Sequence, residues 1–259
     1  MKLFRVRCLV LLVATTVSLA LEIRPARAEV YQDVQCLVAY DEEFDSVARD
    51  IYRYSPQVLC RILLDEVSHR FRENFKIRFL VAGYATWDSN DTYWLSQSPV
   101  EAVEEVGFYR GKSVNGYEVE VLIALTDQCV EGDGAYGWCW TSNHAIIVRE
   151  TLLGLPGLRI QSTDNVIQHE LSHFYDCVDH YIAYPSNPHF DCVMNCFRYD
   201  FVFPEGYVPH ALVTENWCVE CEESIRLNEG WFGYPQQIGG GSPGEFPLPY
   251  SVNGTVTEL

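Results

Sequence analysis

The chain has 259 residues, with 36 acidic side chains against 18 basic ones and a formal net charge of -18. That acidity argues against nucleic acid and anionic membranes as partners. Its 48% hydrophobic and 14% aromatic content is enough for a full core. Residues 1–28 read as an export signal. Lys2, Arg5 and Arg7 precede the apolar run Cys8 to Leu21, and Ala26-Arg27-Ala28 offers a small-residue cleavage site. The run is short and followed by Arg24 and Arg27, so the expectation is a secreted or extracytoplasmic protein with no stable membrane anchor. Losing that segment removes five bases and one acid, which takes the charge to -22. Roughly 200 residues, 29–232, suit one domain or a domain with a small subdomain.

Residues 29–54 are polar and acidic, with Phe44, Val47, Ile51 and Tyr54 spaced for a short helix. Ser55-Pro56 reads as the N-cap and first residue of a helix reaching about Glu73, with Leu59, Leu63, Val67 and Phe71 on one side. Lys76 to Ala82 alternates as a strand, and Pro99 to Val106 forms a short helix. Asn115-Gly116, between Gly107–Val114 and Tyr117–Leu125, is a strong hairpin signal. Thr126 to Thr141 reads as a Gly-, Trp- and Cys-rich loop, which a Cys129–Cys139 disulfide could close. Ala145 to Val148 reads as a strand and a possible sheet edge for an extended peptide. The order implies a mixed sheet backed by helices, an α+β fold. Residues 233–259 form a Gly- and Pro-rich tail without periodicity, expected to be loop or partly disordered.

The most informative stretch is His169-Glu170-Leu171-Ser172-His173. On a helix, His169 and His173 project from one face, where two imidazoles can share a metal, and Glu170 is placed to act as a base toward water. Ile167, Leu171, Phe174 and Val178 form an apolar stripe away from the histidines, so one side can enter a core and the other face a cleft. Thr163, Asp164 and Asn165 are N-cap candidates, with Gln168 at capping-box distance from Asn165.

Two histidines do not complete a catalytic zinc site, which needs a third protein ligand and water. The longer run His169-Glu170-x-x-His173-x-x-Asp176-x-x-Asp179-His180 resembles the metzincin pattern, where a glycine turns the chain and a third ligand follows three residues later. Asp176 stands at the glycine position, and aspartate tolerates the left-handed conformation. The resemblance implies Asp179 as third ligand, with His180 the alternative. Downstream, Cys192-Val193-Met194 and then Cys218-Val219-Glu220-Cys221 before a helix are similar to the archaemetzincin family of zinc peptidases. That likeness implies a zincin-like mixed twisted sheet, an active-site helix, a small C-terminal subdomain, and Met194 in a turn beneath the ligands. It also implies a second, structural zinc on His180, Cys192, Cys218 and Cys221, histidine replacing the family's first cysteine. Six cysteines then remain in the exported chain, and Cys36–Cys60, Cys129–Cys139 and Cys177–Cys196 would pair them. Disulfides at all these cysteines, without a second zinc, are the alternative.

The expected activity is zinc-dependent hydrolysis of peptide bonds in a peptide or protein substrate, Glu170 being the general base. Two other readings stay open. In one, a gluzincin-type peptidase draws its third ligand from Glu215, Glu222 or Glu223. In the other, the chain is a secreted, non-catalytic zinc-binding module. His69, His144, His189 and His210 read as surface or loop residues, with His189 and His210 the better exceptions as ligands.

Overall fold

The computed structural model describes residues 30–90, 95–128, 135–149, 156–180, 187, 189, 191–195, 199–203, 206–209, 214–228 and 250–253. Segment 1–28 and the tail outside 250–253 lie beyond them. Contacts divide the chain into Met1–Val30 and Tyr31–Leu259. In the second unit, strands β1 (Gln32–Tyr40), β2 (Ile77–Thr86), β5 (Val121–Thr126), β6 (Ala135–Trp140), β7 (Ala145–Arg149) and β10 (Tyr250–Asn253) form one sheet, in the order β10-β6-β7-β5-β1-β2. Neighbours from β2 to β7 are parallel, whereas β6 and β10 join antiparallel. Two small ribbons pair β3 (Ser113–Val114) with β4 (Tyr117–Glu118) and β8 (Tyr199–Phe203) with β9 (Gly206–Pro209). The described helices are α1 (Glu42–Val47, continued by a π turn to Tyr52), α2 (Pro56–Phe75), α3 (Ser98–Val106), α4 (Pro156–His173) and α5 (Val219–Leu227). This is a mixed α+β fold with a mostly parallel sheet. No helix among the described residues is long and apolar enough to cross a membrane.

Both faces of the sheet are covered. Val121, Ile123, Leu125, Ile146 and Val148 join a core with Leu59, Leu63, Val67 and Phe71 of α2 and with Val166, Ile167 and Leu171 of α4. The alternate residues Leu122, Ala124, Ala145 and Ile147 pack with Leu37, Ala102 and Phe108 on the other face. Burying each of these larger side chains stabilises the fold by roughly 1.5–3 kcal/mol. The second helix begins as its sequence requires, with Ser55 Oγ accepting from the Val58 amide and Pro56 at the first helical position.

Residues 32–40 are an internal strand between β5 and β2, not part of a polar segment. With both faces buried, Cys36 to Tyr40 is a continuous buried run with no alternation to read. The Asn115-Gly116 turn forms with positive φ at both residues, but its arms are two residues long because β5 leaves to join the main sheet. Residues 135–140 are a strand. It covers β7, so Ala145–Val148 is internal and is not a sheet edge. In the tail, Tyr250–Asn253 is strand, paired along the outer side of β6. Cys36 and Cys60 are separate buried thiols, which removes the expected bridge between them. Cys139 and Cys177 are also free thiols, and Cys129 and Cys196 lie outside the described residues.

Candidate metal centres

Helix α4 carries His169, Glu170 and His173, and its last residue is His173. Asp176 then takes φ 62°, the left-handed turn expected at that position. The turn brings Asp179 back over the helix end, with Oδ1 3.1 Å from His169 Nε2 and 3.5 Å from His173 Nε2. Each imidazole is fixed from behind. His169 Nδ1 donates to the Val193 carbonyl at 2.9 Å, and His173 Nδ1 donates to that of Cys177 at 2.7 Å. A carbonyl only accepts, so each Nδ1 holds the proton and each Nε2 turns a lone pair inward. Burial keeps His173 neutral, lowering its pKa to about 4. His169 is fully buried, and its Nε2 has no hydrogen-bond partner among the described residues.

Two inward lone pairs and a carboxylate oxygen suit a cation. Tetrahedral zinc with N and O ligands sets them about 3.3–3.4 Å apart, close to the observed spacings. The residues present therefore fit zinc, with three protein donors.

Glu170 is also fully buried, and it lies against β6 at a glycine. A Cβ on Gly137 would stand 2.5 Å from Glu170 Oε1, 2.7 Å from Val166 Cγ1 and 2.8 Å from Glu170 Cγ. Only glycine leaves space for the carboxylate there. The proposed cleft-facing side of α4 is thus covered in this structure, and Val178 of the expected stripe lies past the helix end, 52% exposed.

The expected N-cap residues sit inside α4, which starts at Pro156. They are polar for a different reason. The buried Arg70 guanidinium of α2 donates to Asn165 Oδ1 (2.6 Å), Gln168 Oε1 (2.8 Å), Asp164 Oδ1 (3.0 Å) and Glu215 Oε1 (3.1 Å). Gln168 also donates to the Glu215 carbonyl at 2.8 Å. This network ties α4 to α2 and to the 214–217 segment. That segment in turn accepts the Val193 amide at Asn216 O, 2.6 Å away, behind His169. Glu215 is therefore engaged by Arg70, and Glu222 pairs with Arg226 at 3.2 Å, so neither joins the histidines.

A second group lies beside the first. His180 Nε2 is 3.4 Å from both Cys218 Sγ and Cys221 Sγ, and Cys192 Sγ is 3.8 Å from Cys221 Sγ. A disulfide would require about 2.05 Å between sulfurs, whereas tetrahedral zinc–thiolate bonds set them about 3.8 Å apart. The three thiols oppose one another. Hydrogen bonds from Cys192 and then Cys221 hold Cys218 well below the usual thiol range, and the bond to Cys218 pushes Cys192 far up. A divalent cation lets all three ionise together. His180 thus stands with the cysteines, while Asp179, one residue earlier, stands with His169 and His173. Met194 is fully buried in the turn between the groups, and its carbonyl accepts the His180 amide at 2.7 Å.

Gly137 and Arg70 carry no local pattern that would single them out in the sequence. His189, one of the two better exceptions among the loop histidines, meets Glu220 and Cys218 in a third group. His210 lies outside the described residues.

No protein-family model matches the sequence, and no curated protein does. Among solved structures, one titled as a chaperone–substrate complex has 11% identity and a TM-score of 0.48, covering 78% of this chain. The chain spans only 35% of that structure's length. A zinc-dependent peptidase from Methanocorpusculum labreanum has 11% identity and a TM-score of 0.45, with 73% of this chain and 99% of the other covered. Neither likeness bears on the chemistry, which rests on the two donor groups described above.

Proposed function

We propose that the protein is a secreted zinc metallopeptidase of metzincin type. His169, His173 and Asp179 would hold the catalytic zinc, and His180, Cys192, Cys218 and Cys221 a structural one. The observation that carries this reading is the set of two Nε2 lone pairs, each enforced by a carbonyl behind it, converging with Asp179 Oδ1 next to Glu170. Zinc bound there would supply Lewis acidity, lowering the pKa of a water and polarising a peptide carbonyl. Glu170 would serve as the proton carrier, taking a proton from the attacking water on a carboxylate oxygen and delivering it to the departing amine nitrogen. Val193 and Cys177 hold the imidazoles in the tautomer that faces the centre. Gly137 sets how far Glu170 can advance. The basic and then apolar N-terminal stretch supports export.

The full burial of Glu170 favours one other reading, a zinc-binding module without turnover. One experiment separates them. The mature protein is assayed on an unfolded protein substrate, with Glu170→Ala and His169→Ala alongside, and the zinc content of all three is measured. A peptidase cleaves as wild type, loses at least a hundredfold in Glu170→Ala with zinc retained, and loses both activity and one zinc in His169→Ala. Zinc-loaded wild type without turnover establishes the module. Undiminished cleavage by Glu170→Ala sinks the assigned base.

A further inference from the structure

We propose a third metal position, formed by His189, Cys218 and Glu220 and joined to the cysteine centre through a bridging Cys218 thiolate. It rests on the structural zinc site proposed above. His189 Nδ1 lies 3.2 Å from Cys218 Sγ and 3.5 Å from Glu220 Oε2. All three donor atoms fall within 4.8 Å of one another, the same compactness as in the other two groups. The His180 and His189 rings lie side by side, centroids 4.3 Å apart and tilted by 36°. Each directs one nitrogen at the same sulfur, His180 from 3.4 Å and His189 from 3.2 Å. A thiolate has lone pairs enough to bind two metals, so Cys218 can be shared without giving up its place in the first centre.

Charge supports the second ion. Three thiolates and Glu220 carry four negative charges within a few ångströms, in a strongly acidic chain. One divalent ion offsets half of that, whereas two bring the cluster to neutrality. Imidazole, thiolate and carboxylate together suit zinc. The position is also accessible. Glu220 is exposed and His189 half-buried, so a metal can enter and water can complete its coordination. Nothing in the Cys-x-x-Cys spacing announces this arrangement, because Glu220 is one of the two residues inside it.

Native mass spectrometry of the full mature chain, loaded with zinc and exchanged into volatile buffer, tests the proposal. Wild type should carry three zincs, and His189→Ala and Glu220→Ala two each. Cobalt titration gives an independent reading through thiolate-to-metal absorption, which the His169 centre lacks. That band should grow over two equivalents in wild type and over one in His189→Ala. Two zincs in wild type and in His189→Ala alike overturn the third position, reducing His189 to a hydrogen-bond donor to the Cys218 thiolate, and leave the structural zinc intact. A single zinc, lost in His169→Ala, overturns both, because the cysteine centre itself then holds no metal.

Discussion

The two principal donor groups use neighbouring residues for opposite purposes. Asp179 joins the histidines and His180 the cysteines; likewise the Val193 carbonyl braces His169 while Cys192 contributes its thiol. The first group has three donors, two nitrogens and an oxygen, mounted largely on a rigid helix and accompanied by Glu170. The second has four donors, three of them sulfur, drawn from the 180 and 192 segments and the start of α5. Three donors leave a tetrahedral position for substrate or water, and four close it. On the proposed reading, coordination number and scaffold, rather than the presence of histidine, would separate a working site from a structural one.

The largest effect expected from that difference is on folding. Segments 177–180, 191–195 and 214–218 contain no helix or strand and meet at the cysteines, so a metal bound there would contribute folding energy, on the order of 10 kcal/mol. Cys221→Ser should therefore abolish cooperative thermal unfolding, whereas His169→Ala, on a helix packed against α2 and the sheet, should unfold cooperatively near the wild-type midpoint. Calorimetry of both variants checks this. Equal losses in the two would erase the distinction between the centres.

A smaller effect sharpens the view of the first group. Gly137→Ala places a methyl group against the Glu170 carboxylate and should lower kcat about 10- to 100-fold by moving it. Overpacking should cost about 1–3 kcal/mol of stability, with zinc content unchanged. Steady-state kinetics beside elemental analysis would show it, and an unaltered kcat would remove Gly137 from the site.

The smallest effect belongs to neither group and calibrates both. Burial pushes Asp41, the N-cap of α1, up to about 7 from an ordinary 3.8. The folded state holds that proton more tightly, so the contribution to stability is complete below about pH 4 and is lost as pH rises through 7. Metal-linked stability runs the other way, since ligands must be deprotonated to bind. Between pH 6 and 8 the melting temperature of metal-loaded Asp41→Asn should fall less, or rise more, than that of wild type. Parallel slopes would show that Asp41 does not titrate in this range.

Much of the helical architecture and the short motifs were legible. Ser55-Pro56 with Leu59, Leu63, Val67 and Phe71 announces α2, and Asn115-Gly116 announces its turn, because caps, turns and i, i+4 stripes are local. The five-residue His-Glu-Leu-Ser-His run needs only one helix face. The expected polar N-cap at Thr163–Asn165 failed because its partner, Arg70, lies more than ninety residues away in the chain.

The backing helix, the hairpin turn, the candidate metal pair His169 and His173 with Glu170 between them, and the supply of soft ligands are all written in the chain itself. Tertiary structure decided the rest. It set β1 inside the sheet, between β5 and β2, where burial on both faces hides the alternation of a strand. It sent Asp179 and His180 to different groups, a choice made by backbone direction after the left-handed Asp176. It brought Gly137 under Glu170 and His189 to Cys218 across 29 positions of chain. Such contacts depend on where the chain returns, and local spacing carries no record of that.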